Sequence, residues 1–282
     1  MIKVVEFPNK VFSTKEDLHR ALKLNEKDLI NLKTSQVYKS SEKGQISFNN
    51  AEKLDNCIGK SNFSTSNENI YPVISTTNYM DGHKDVHFDG CFTKTVKEQQ
   101  GKVKYVLDHE LKWDSIIAWE KDVKMIVSHI DWSYVGKSYN GKTQGLIFVI
   151  PKNAIKRKDV LEEIENRSSN FENSIRMVYV KVFLGLDSDR KEDKENKAYY
   201  DAKINLIANK EEVIKEGYFW GVEELGIYKE GSLVVAGGSN DATSIYMENK
   251  NIEPLENTQI IEPSKDTQQE KKNYFINISK QN

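Results

Sequence analysis

The chain reads as an α+β protein, a mixed and barrel-like set of strands surrounded by helices. Two observations predict this class. Strand-like apolar runs are interrupted by helical patterns without the strict alternation of a parallel α/β fold. The strongest of these runs, 174–186, alternates β-branched and aromatic residues over a length typical of a long strand. Composition supports a core: of 282 residues 38% are hydrophobic and 30% charged, a balance far from that of disordered or membrane chains.

The elements follow in order. Ser13-Thr14-Lys15-Glu16 has the Ser-x-x-Glu form of a capping box, and Leu18, Ala21 and Leu22 follow at helical spacing. Asn25–Asp28 is expected to cap a second helix carrying Leu29, Ile30 and Leu32. Residues 35–70 are rich in Ser, Asn and Lys and read as a polar linker. A strand over Val73–Thr77 opens the main domain, followed by a turn-rich stretch from Asn78 to Gly90 and a short helix carrying Phe92 and Val96. Val103, Tyr105, Leu107 and His109 share one face of the next strand. Strands are expected over 123–130 and 145–150, then a helix over 156–166 with Val160, Leu161 and Ile164 inward.

In the 174–186 strand, Ser174 and Arg176 fall on the face of Val178, Val180, Val182 and Leu184. A charged loop at 187–197, a helix at 199–208 and a strand pair at 218–224 and 227–235 close the domain. Residues 247–282 read as a flexible tail. The predicted organisation is a helical segment 1–34, the linker 35–70, the domain 71–246 and the tail.

A net charge of −2 gives no basic field for nucleic acid. No apolar run approaches the roughly 18 residues of a membrane span, and the N-terminus lacks the pattern of a signal peptide. Cys57 and Cys91 form no Cys-x-x-Cys pair, so free thiols in a reducing, intracellular setting are expected, without a disulfide scaffold or cysteine zinc site. No cofactor is expected.

The five histidines can be weighed singly. His19 lies among charged neighbours on the first helix and reads as a surface residue. His83 and His87 alternate with Asp81, Asp85 and Asp89, as ligands in a metal loop could, but the spacing fits a solvated polar turn better. His129 ends a strand and is either buried or a partner to another side chain. His109 sits on a rigid apolar strand, a position that suits either a structural residue or a general base. Ser174 opens the longest strand without a Gly-x-Ser-x-Gly elbow, so an α/β-hydrolase nucleophile is not supported. On adjacent strands the two could cooperate, because a hydroxyl becomes nucleophilic when an imidazole removes its proton.

Four segments, in order, carry a family resemblance. Asp81–Phe92 resembles a "Gly-Asp-x-x-x-x-Gly-Ala-Phe"-like opening that leads into a helix. Leu107-Asp108-His109 falls where the family has its histidine. Asn173-Ser174-Ile175-Arg176-Met177 resembles "His-Ser-Val-Gly-Met" at its nucleophile strand. Ile227–Val234 with Gly238–Thr243 resembles its "Leu-x-Glu-x-Ser-x-Val … Asn-Pro-x-Thr" ending. The family is the tailed-bacteriophage prohead proteases, similar to the herpesvirus assemblins.

The resemblance covers Val73 to Thr243. It implies a herpesvirus-protease-like fold and a serine endopeptidase acting inside the viral prohead, in the host cytoplasm. The major capsid protein, the scaffold and the enzyme itself would be its substrates, and a homo-oligomer is compatible with it. His109 would be the base and Ser174 the nucleophile. Glu230 matches the family's glutamate as third member, with His129 as rival because the herpesvirus enzymes use a second histidine. The chain departs from the pattern at Arg176, where the family has glycine. Either the site is rearranged there, or Arg176 adds positive charge at the oxyanion. Two other readings stay open: a metal-dependent hydrolase using His83, His87 and His109, and an assembly protein that keeps the protease fold without cutting.

Overall fold

A computed structural model describes residues 1–35, 66–168, 171–235 and 240–247. Two sheets form the framework. The first has four strands in the order β5 (Lys124–Asp131), β6 (Lys142–Pro151), β1 (Asn69–Thr76), β9 (Ser244–Tyr246). The second has five: β2 (Asp85–His87), β3 (Lys104–Leu107), β4 (Ile116–Ala118), β7 (Glu172–Leu186) and β8 (Tyr218–Val234). The class is therefore mixed α+β, but the sheets stay open and do not close into the barrel expected from the strand pattern.

The second sheet is organised by β8. Expected as a strand pair, 218–224 and 227–235 instead form one strand of 17 residues. Gly226, at the expected turn, is paired with Val178, and its φ is not left-handed. With β7 pairing along its whole length, β8 has a continuous template and no turn sequence to stop it. Its other edge pairs in parallel with β2 along Trp220–Val222 and with β3 along Glu230–Leu233.

Irregularities in the β7–β8 ladder correct the reading of the β7 face. Ile175, Met177 and Tyr179 are buried in the first half, and Val182, Leu184 and Leu186 in the second. The register shifts around Lys181 exchange the inward phase, as a bulge does when it adds a residue to one strand. Val180 and Phe183 are consequently exposed.

Helices α1 (Lys15–Leu24) and α2 (Glu26–Ser35) begin near the expected places. The cap is Thr14 rather than Ser13, its hydroxyl accepting from the Asp17 amide at 3.1 Å. These helices do not form a segment standing before the domain. Leu18, Leu22 and Leu29 enter the same hydrophobic cluster as Ile74, Tyr105, Phe148 and Trp220, and all described residues belong to one unit, Met1–Glu248. Trp220 donates to Glu6 at 2.7 Å, and Lys33 pairs with Asp85 at 2.5 Å in the interior.

Helices α3 (Thr93–Gln99) and α4 (Lys158–Arg167) match expectation closely. The helix expected at 199–208 begins earlier, as α5 (Lys194–Lys203), so part of the charged stretch is helical. Helix α6 (Lys210–Glu216) and the short strands β2, β4 and β9 were not foreseen. Most of the linker and all but the first residue of the tail lie outside the described residues, as does Cys57. Cys91 is a buried free thiol whose pKa burial pushes up. No described helix is long and apolar enough to cross a membrane.

Candidate active site

The site is built where β3, β7 and β8 run side by side. Ser174 on β7 lies directly opposite Ser232 on β8, and Val106 on β3 is opposite Ser232 from the other side. Directly opposed residues share a sheet face, as do residues two apart on one strand. Ser174, Arg176, Glu230 and Ser232 therefore project from one face. Between them Gly231 turns to the other face, where a Cβ would meet the Phe148 ring at 2.8 Å. The first sheet thus packs hard under the site.

A bulge shapes the β8 side. Ile175 pairs with Gly231, but Met177 pairs with Ile227, so Tyr228, Lys229 and Glu230 together face Arg176. Lys229 absorbs the extra length with a left-handed φ of 65°. Arg176 itself is not among the left-handed residues. The site needs no glycine there, and the rearrangement lies across the ladder.

His109 does not sit on the strand face expected of it. β3 ends at Leu107, and Asp108 and His109 follow with φ of 47° and 61°. The chain thus leaves the sheet in a tight turn, closed by Glu110 N–H donating to the Leu107 carbonyl. That turn swings the imidazole over β8. Its Nδ1 lies 2.8 Å from Glu230 Oε1. The ring is 16% exposed and the carboxylate not at all.

Two further side chains hold this pair. Ser232 donates its hydroxyl to Glu230 Oε2 at 2.8 Å and accepts the His109 backbone N–H at 2.9 Å. Arg176 places Nε 3.1 Å from Glu230 Oε1, an ionic contact off the N–H line, and its terminal NH2 group donates to the His109 carbonyl at 2.6 Å. Arg176 is buried, as a cation tolerates only when paired. Two of its three nitrogens are thereby committed to the histidine–glutamate pair, which answers where its charge goes.

The structure thus brings His109 and Glu230 into contact, and it sets Ser174 on the same face one strand away. The rival third member is elsewhere: His129, on β5 of the other sheet, is half-exposed and its imidazole lies 3.7 Å from Asp89. Ser232 and the bridging role of Arg176 were not read from the sequence. The signal was present in Glu230-Gly231-Ser232, whose period-two spacing puts both polar side chains on one face.

Of the two histidines in the Asp81–Asp89 stretch, His83 lies half-buried in a turn and only His87 departs from that reading. His87 is buried on β2, its Nδ1 3.2 Å from the Ser75 hydroxyl, and burial holds its pKa down to about 4. Asp81 accepts the His83 and Asp85 amides, while burial, reinforced by the charge of Asp85, raises its pKa to about 7. Asp85 is held by Lys33 and by the Tyr179 hydroxyl at 2.8 Å. Among the described residues no three His, Cys, Asp or Glu side chains form a group that could hold a metal ion. His19, expected at the surface, is buried against Gly217, and burial lowers its pKa.

No protein-family model, curated protein or solved structure matches this chain.

Proposed function

We propose that the chain is a serine endopeptidase with Ser174 as nucleophile, His109 as general base and Glu230 as the group that orients the base. The observation that carries this reading is the 2.8 Å contact between His109 Nδ1 and the buried Glu230 carboxylate, with Ser174 on the same sheet face. A carboxylate on Nδ1 favours the tautomer with its proton there and leaves Nε2 as the basic nitrogen. In the acylation step Nε2 takes the Ser174 proton as Oγ bonds to the peptide carbonyl carbon. The carbon–nitrogen bond then breaks and the proton passes to the leaving amine. Water repeats the sequence to release the acid and restore Ser174.

The finer identity rests on the ordered resemblance of Val73 to Thr243 to the prohead proteases. On that reading the fold is herpesvirus-protease-like, the substrates are scaffold and major capsid protein, and the work is done inside the prohead. The contact between His109 and Glu230 favours glutamate over a second histidine as third member.

Co-expression with the capsid protein, followed by mass spectrometry of its N-terminus, tests the reading. Wild type should trim the capsid protein, and Ser174→Ala should lower the rate by at least about a thousandfold while leaving the fold intact. Equal trimming by the variant would remove Ser174 from the mechanism. An untrimmed capsid protein with both would favour the non-cutting assembly protein.

A further inference from the structure

We propose that Ser232 and Arg176 are positioning residues that clamp His109 by its backbone and its ring at once, so that the imidazole meets Ser174 in one orientation. The inference rests on the protease reading for its purpose but on separate contacts for its geometry.

His109 occupies an unfavourable place to hold a base. Asp108 and His109 are consecutive non-glycine residues in the left-handed region, a conformation that persists only when surroundings over-determine it. Ordinary strand pairing cannot supply that constraint, since β3 has already ended at Leu107. Beyond the backbone bond from the Glu110 N–H to the Leu107 carbonyl that closes the turn, the constraint comes from side chains of the neighbouring strands. The Asp108 N–H still reaches the Leu233 carbonyl at 3.0 Å. Beyond it, the His109 N–H is bound by Ser232 and the His109 carbonyl by Arg176.

The same two side chains also hold Glu230, one oxygen each: Ser232 at Oε2 and Arg176 at Oε1. Glu230 in turn holds the ring. The contacts therefore close two small circuits through one carboxylate, so rotation of the imidazole about χ1 or χ2 breaks a contact to a buried group. Serine does this with one hydroxyl because it can donate and accept simultaneously. Arginine does it because its planar fork presents nitrogens at fixed spacing, which lysine cannot reproduce. Removing either should leave the nucleophile and base present but loosely placed.

A fluorophosphonate probe, which labels activated serines without needing a known substrate, reads the effect on full-length protein. Labelling rates for wild type, Ser174→Ala, Ser232→Ala and Arg176→Lys would be resolved into the maximal rate and the half-saturating probe concentration. Ring 15N spectra of His109 would be recorded in parallel. Ser232→Ala and Arg176→Lys should each lower the maximal rate about 10- to 100-fold, with half-saturation within about twofold of wild type. Their His109 ring signals should lose the single Nδ1–H tautomer. Ser232→Thr, which keeps the hydroxyl, should retain more of the rate than Ser232→Ala does.

Wild-type labelling rates and unchanged ring signals in both variants would overturn the clamp. If wild type does not label at Ser174, the protease reading fails. The ring spectra then still decide the clamp: a single tautomer lost in both variants supports it, and one retained in both removes it.

Discussion

Glu230 joins charges that burial would otherwise penalise. Its carboxylate is fully buried and touches Arg176, His109 and Ser232, so the arginine and the carboxylate depend on each other for their place in the interior. Glu230→Gln preserves shape and removes the charge. Two losses should follow. The buried guanidinium left without its anion should cost about 3–5 kcal/mol of stability, read by urea denaturation. Turnover should fall by a further factor of up to about 10⁴, because an amide can bind either histidine tautomer. A variant as stable and as active as wild type would mean that Glu230 neither pairs with Arg176 nor orients His109.

At the scale of elements, the site depends on how tightly two sheets meet beneath it. Gly231 lies between Glu230 and Ser232 and faces away from the site, toward Phe148 of β6 and Ile74 of β1. A methyl group here would meet the aromatic ring at 2.8 Å and Ile74 at 3.3 Å, so Gly231→Ala should cost about 1–3 kcal/mol in thermal or urea unfolding. An unchanged midpoint would show that the two sheets are packed more loosely than this. The predicted strand at 227–235 was legible because alternation and β-branching mark it locally. Its fusion with 218–224 was not, because continuity depends on pairing with β7, a strand separated from it by two helices in the sequence.

At the largest scale, the described unit is tied together by buried polar groups that link the N-terminal helices to the second sheet. Lys33 of α2 reaches Asp85 of β2, which also receives the Tyr179 hydroxyl from β7. Lys33→Met should destabilise the entire unit by about 3–5 kcal/mol, since Asp85 would stay buried without its cation. Unfolding in two separate transitions would instead mark α1 and α2 as an independent segment.

Two nearby groups give stability opposing dependences on pH. The pKa of His87 is depressed from 6.5 to about 4, so the unfolded chain binds more protons between those values. Its contribution is complete above about 6.5 and is lost as pH falls toward 4. The pKa of Asp81 is raised from 3.8 to about 7. The folded chain binds the extra proton, and this contribution, complete below about 3.8, is lost as pH rises through 7. Over their common window the slopes, each about 1.4 kcal/mol per pH unit, largely cancel. His87→Gln should therefore make stability fall with rising pH, and Asp81→Asn should make it rise. Urea midpoints from pH 4 to 7 that follow the wild-type profile in both variants would rule this balance out.

Local sequence pattern dictates the mixed class, most helices and strands, and the residue types from which a site is assembled. Each of these is local, written in periodicity, capping residues and turn chemistry within a few positions. Ser174 near the head of the strongest strand pattern and the Glu230-Gly231-Ser232 alternation belong to this part. Long-range packing alone sets that the sheets stay open, that the N-terminal helices share the core, and that His87 is buried. It also sets what surrounds His109. The alternation of 103, 105, 107 and 109 placed the imidazole on a strand face, whereas the chain leaves the strand after Leu107 and turns left-handed. That turn is held by Arg176 and Ser232, 67 and 123 positions away, a separation no local pattern encodes.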